Sequence, residues 1–120
     1  MSSFVRFQTS RISNYTSKPQ GLFAAYWFLK ESGRLSPEDL KRGSELYDWF
    51  QANVPDPPFY ATGNEIRATT WWKASATGVL ERARDLAGLL AQYDVDVQEV
   101  VGSDVGAVVY EDDYQVAVTS

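Results

Sequence analysis

The sequence predicts a single α+β domain over residues 1–120, a mostly antiparallel sheet with helices packed on one face, in the order β-α-α-α-β-β-β. Three observations carry that expectation. Between residues 68 and 93, Trp72, Ala76, Val79, Ala83, Leu86, Leu90 and Tyr93 recur at spacings of four and three, which places them on one stripe of a long helix. After Tyr93 the period falls to two, and turn residues cut the chain into short segments. At the other end, residues 3–9 alternate Phe4, Arg6 and Gln8 with Val5, Phe7 and Thr9, the pattern of a further strand.

Taken in order, the first strand has apolar residues on both faces and so belongs inside a sheet. A polar loop over 10–20 follows. Residues 22–30 (LFAAYWFLK) form a helix that is apolar nearly all round and so should be buried on several sides, and Gly33 stops it. The next helix has the strongest local signals. Ser36 is placed to cap it, Pro37 takes its first position, and Glu38 and Asp39 sit at the positive end of the dipole. Leu35 and Leu40 have the spacing of a hydrophobic staple. This helix runs to about Ala52 and buries Leu40, Leu46, Tyr47 and Phe50; Asn53 and Pro55 end it. Residues 54–64 are too rich in proline and glycine for regular structure, and the long helix begins between Asn64 and Thr70. Strands over 96–101, 107–110 and 114–119 are joined by turns at 102–106 and at Glu111-Asp112-Asp113. The first strand pairs with this C-terminal meander, because alone it would be unstable.

Composition narrows the chemistry. Neither cysteine nor histidine is present, which removes disulfides, thiol nucleophiles, serine–histidine dyads and the usual zinc ligands. No cofactor and no metal site is expected. The formal net charge is −5, unevenly placed. Arg6, Arg11 and Lys18 occupy the first twenty residues without an acid, whereas Asp94, Asp96, Glu99, Asp104, Glu111, Asp112 and Asp113 follow residue 93 without a base. Overall acidity argues against direct nucleic-acid binding and against an anionic membrane. With no apolar leader and no run near the roughly 20 residues of a membrane span, a soluble cytoplasmic protein is expected.

Four places can carry chemistry. Arg6, Arg11, Tyr15 and Lys18 lead into a helix near Gln20-Gly21, and cations beside a helix N-terminus can hold a phosphate or carboxylate. The plainer alternative is a capped loop whose cations pair with the acidic C-terminal sheet. Trp71 falls at the edge of the long helix's buried stripe, with Arg82 on the same flank, where the two can stack on a ring or anchor a partner. Alternatively Trp71 covers the rim of the core against Pro57-Pro58-Phe59-Tyr60. Gly78 and Gly88, on that helix's polar side, either are tolerated or permit a close backbone approach. Glu111, Asp112 and Asp113 put three carboxylates on a turn tip; they lack the spacing of a calcium loop and also serve simply to keep a sheet edge solvated.

The segments Phe4-Val-Arg-Phe-Gln-Thr, Trp72-Lys-Ala-Ser-Ala-Thr and Val108-Val-Tyr-Glu-Asp-Asp-Tyr-Gln-Val-Ala-Val together resemble a family of small uncharacterised bacterial and phage proteins. The resemblance implies a bacterial or phage cytosolic setting and no substrate or catalytic residue. Two functions remain. The missing catalytic residue types and the one-sided charge favour a non-enzymatic interaction or regulatory protein, such as an inhibitor presenting carboxylates to a basic partner, with a homo-oligomer as a further option. The alternative is a small enzyme or ligand-binding domain for an anionic or nucleotide-like substrate. That alternative requires Arg6, Arg11 and a carboxylate to converge in one pocket.

Overall fold

In chain order the elements are β1 (Phe4–Ile12), β2 (Pro19–Gly21), α1 (Leu22–Glu31), α2 (Pro37–Asn53), a 3-10 turn (Pro58–Thr62), β3 (Thr69–Lys73), α3 (Thr77–Ala91), β4 (Gln98–Gly102), β5 (Ala107–Glu111) and β6 (Gln115–Thr119). They come from a computed structural model, which describes residues 3–12, 18–63 and 66–119. The expected class holds: an α+β domain whose antiparallel sheet carries helices on one face. Two strands, β2 and β3, are additions to the expected order.

β3 is the larger correction. The long helix was expected to start by Thr70, but Thr69, Thr70, Trp71 and Trp72 are strand, and α3 begins only at Thr77. Both β-branched threonines and both tryptophans favour a pleated surface, so local propensity agrees with the strand. The helical stripe misled because a spacing of four between Trp72 and Ala76 is also a whole number of strand periods. From Val79 to Leu90 the stripe is right: Val79, Ala83, Leu86 and Leu90 are buried, with Leu80 and Leu89 buried beside them, while Tyr93 is half-buried beyond the helix end.

β1 is the strand around which the sheet assembles. One edge pairs with β4, from Gln8↔Gln98 to Phe4↔Gly102. The opposite edge is shared end to end: β3 pairs at Phe4 and Val5, and β2 at Gln8 and Ile12. β3 continues to β6, and β6 to β5. The expected meander is thus only half formed. β4 joins β1 as anticipated but is not paired with β5 among the described residues; the two lie on opposite outer edges.

Those two edges are nevertheless joined by only four residues, Ser103 to Gly106. A flat sheet would separate β4 from β5 by four inter-strand steps, about 19 Å, before any offset along the strands. Five Cα–Cα steps reach at most about 18 Å when straight. The sheet must therefore curl, and its concave face is the one away from the helices. Register puts Trp71, Val116 and Val118 on that face. Val116 and Val118 are each 1% exposed although both lie outside the helix-side cluster. Trp71 reaches across β1 toward β4, so that a Cβ on Gly102 would lie 3.5 Å from its ring.

The helix side holds the main core. Val5, Phe7, Leu22, Tyr26, Leu29, Phe50, Trp72 and the α3 stripe pack as one cluster. Ser36 caps α2 as expected, its hydroxyl accepting from the Asp39 N–H at 3.2 Å. The staple does not close, because Leu40 stays 40% exposed while Leu35 packs on the core. α1 also departs from expectation. It buries one face only, leaving Trp27 and Phe28 outside, where Lys30 and Arg11 lie over their rings at 4.5 and 4.3 Å. Of the α3 glycines, Gly88 faces open space and Gly78 meets only the end of the Arg82 side chain, so no other element of the fold approaches either of them closely. Among the described residues no helix is long and apolar enough to cross a membrane.

Candidate functional site

The shared edge of β1 leaves a gap. β3 turns away after Val5↔Trp72, and β2 joins only at Gln8↔Gly21, so Arg6 and Phe7 face neither strand there. An opened sheet strands carbonyl oxygens that need donors. Arg6 supplies them: Nη1 donates to the Thr70 carbonyl and Nη2 to the Pro19 carbonyl, both at 2.9 Å. One guanidinium thereby ties β3 to β2 across the split. Gly21 lies close beneath it, where a Cβ would sit 3.3 Å from Nη2. A planar fork suits two divergent carbonyls, which a lysine ammonium would not reach in the same way.

The split opens into a cavity of about 440 Å³ between the sheet, the start of α1, the end of α2 and the Pro55–Pro58 segment. One wall is aromatic. Phe50 and Trp72 stack at 5.9 Å, and Phe23 stands edge-on to both, at 4.9 and 6.2 Å. The other lining is polar, with Arg6, Asp56, Tyr60, Thr69, Thr70 and Gln115. Tyr60 hydrogen-bonds the Thr70 hydroxyl. Burial pushes the Tyr60 phenol up, and Asp56 adds to that; the Thr70 hydrogen bond and Arg6 pull the other way without reversing it. Tyr60 is therefore protonated at neutral pH and suited to donating a hydrogen bond. Thr69 is 6% exposed, and its hydroxyl has no protein partner among the described residues.

Arg6 dominates the electrostatics. Burial draws its guanidinium below the ordinary value, with Tyr60 opposing, yet an arginine remains charged. The two carbonyls use two of its five N–H donors. Among the described residues the ion pairs are Lys73–Glu111 and Arg84–Glu99, and no carboxylate reaches Arg6. A half-buried cation with spare donors thus faces a cavity with an aromatic wall.

The other expected site residues are dispersed. Arg11 is exposed at the far end of β1, over Phe28 and beside a separate groove. Lys18 is half-buried just before β2, and Tyr15 falls outside the described residues. Arg6, Arg11 and a carboxylate accordingly do not meet; Arg6 shares its cavity with Asp56 instead. Trp71 and Arg82, expected on one helical flank, occupy different elements. Trp71 packs in the concave face of the sheet, and Arg82 on α3 lies 4.0 Å over the Trp49 ring. The acidic tip divides as well. Glu111 pairs with Lys73 at 2.6 Å, and Asp112 accepts from the Tyr110 hydroxyl, the Gln115 side chain and the backbone of Tyr114 and Gln115. Asp113 stays exposed.

Asp56, Tyr60, Thr69 and Gln115 were not singled out from the sequence. Periodicity is silent about all four, since they join the site through chain crossings. The Pro55-Asp56-Pro57-Pro58 run offered one clue, a carboxylate fixed between prolines.

These features define a small α+β domain with a cavity opening at a split sheet, walled by aromatic rings and a guanidinium. No family model, curated protein or solved structure matches the chain.

Proposed function

We propose that the protein is a binding domain for a small aromatic ligand bearing an anionic group, held in the cavity at the split between β2 and β3. The observation that carries this is Arg6, a half-buried guanidinium at the cavity wall that pairs with no carboxylate among the described residues. A carboxylate or phosphate takes up its unused donors, and the ligand ring lies on Phe23, Phe50 and Trp72. The volume falls within the range of small-molecule sites. This narrows the ligand-binding alternative to one cation, because Arg11 lies elsewhere. 3-Phenylpropionate and phenyl phosphate are the probes, followed by ligand-observed NMR and titration. At least one is expected to bind with a Kd at or below about 1 mM, and Arg6→Gln to lose it while far-UV circular dichroism shows the fold intact. Should Arg6→Gln unfold, Arg6→Lys keeps the charge and is expected to bind several-fold more weakly. Absence of binding by both probes would sink the proposal.

A second reading, a regulatory protein presenting carboxylates to a basic partner, draws support from the exposed Asp104 and Asp113, in the turns before and after β5, and the exposed Val101, Val108 and Val109. It is weakened by the internal ties of Glu111 and Asp112. Its test is retention of the chain on a polylysine surface at low salt. Capture that falls steeply with salt and with Asp104→Asn/Asp113→Asn supports it; capture indifferent to both counts against it.

A further inference from the structure

The cavity carries a second charge of opposite sign. Asp56 lines the same space as Arg6, yet the two do not pair. The chain prevents their collapse onto each other from both sides. Arg6 is held by carbonyls of β3 and of the residue opening β2, two separate strands. Asp56 sits between Pro55 and Pro57, whose rings fix φ on either side and restrict the aspartate itself to extended backbone. Gln115 pins the segment further, its amide donating to the Pro55 carbonyl at 2.5 Å. Tyr60 lines the same cavity, and its phenol feels both charges.

Two opposite charges held apart on one cavity wall are a template for a ligand with complementary charges of its own. Neither charge has an ion-pair partner among the described residues. A ligand with an anionic and a cationic group pairs with both at once, and its orientation is then fixed by polarity as well as by shape. The aromatic wall requires the remainder of that ligand to be a ring or a comparably flat apolar group.

We infer that the ligand is amphoteric, an aromatic amino acid whose carboxylate meets Arg6, whose ammonium faces Asp56 and whose ring lies against Phe23, Phe50 and Trp72. This rests on the proposed binding of aromatic anions and adds a role for Asp56 that a simple anion site lacks. It also makes Asp56 the residue that favours aromatic amino acids over plain aromatic acids, since only the former bring a cation to that carboxylate.

The test compares L-phenylalanine with 3-phenylpropionate, which has the same ring and carboxylate but no ammonium, by calorimetric titration of the full chain. L-Phenylalanine is expected to bind at least tenfold more tightly. Asp56→Asn should abolish that preference by weakening L-phenylalanine, while 3-phenylpropionate binds unchanged or more tightly. Equal binding of the two compounds overturns the amphoteric inference and leaves the anion site standing. A preference that survives Asp56→Asn also overturns it, because another group would then receive the ammonium. If neither compound nor phenyl phosphate binds, the anion site falls and the inference with it. Asp56 is exposed and makes no hydrogen bond found among the described residues, so its replacement is not expected to disturb folding.

Discussion

Trp72→Ala is expected to cost about 3–5 kcal/mol of folding stability, the range for truncating a large aromatic in a core. Trp72 is 8% exposed, stacks on Phe50 and meets the edge of Phe23, so its removal opens a void between the sheet and the two helices that supply those rings. The same void enlarges the ligand cavity, because Trp72 forms part of its wall. Urea denaturation monitored by circular dichroism measures the loss. A change under about 1 kcal/mol would mean that the side chain is not packed between sheet and helices. Trp71→Ala acts on different ground, the concave face of the sheet beside Gly102, and leaves the Phe50 stack untouched.

Asp112→Ala is the second large effect, expected at about 2–3 kcal/mol near neutral pH. Burial by itself would raise the Asp112 carboxyl. Hydrogen bonds from the Gln115 side chain, the Tyr114 backbone, the Tyr110 hydroxyl and the Gln115 backbone outweigh it and hold the carboxyl below its ordinary value. These bonds close the turn between β5 and β6, and Gln115 carries the linkage on to Pro55 at the cavity rim. A carboxyl depressed in the folded state stabilises most above its unfolded value, and that contribution is lost as pH falls through the lower folded one. The gap between wild type and variant should therefore be widest at neutral pH and shrink in acid. Thermal or urea unfolding across pH 2–7 measures it. A constant gap would show that the ionised carboxylate is not what the turn uses.

The tie at Asp112 changes how the acidic tip is understood. Three adjacent carboxylates suggest a charged surface offered outward. In the folded chain one is paired to Lys73 and one is consumed in its own turn. The lysine comes from β3, a strand that helical periodicity had concealed. The surface charge of the tip is therefore smaller than its composition.

The residues legible from sequence are those whose role is local. Ser36, Pro37 and the first acids of α2 announced a helix start, and the start is there. The alternation of residues 3–9 announced β1, and the turn residues after Tyr93 separated three strands. Val79, Ala83, Leu86 and Leu90 announced the buried face of α3. Each signal is a periodicity or a cap acting within a few residues of itself.

Arg6 stood between the two cases. Its charge in a strand marked it from the sequence, yet its partners at Thr70 and Pro19 lie 64 and 13 residues away. The expected companions Arg11 and Trp71 were near in pattern but do not line its cavity. What the sequence by itself determined was the class, the helices, the main core stripe and a cation at the start of the chain. Only the tertiary structure decided that β3 is a strand, that the sheet splits beside Arg6, and that Asp56 shares the resulting cavity. The physical reason is that strand pairing joins residues far apart in the chain, and no local period records which edges meet or where an edge is left open.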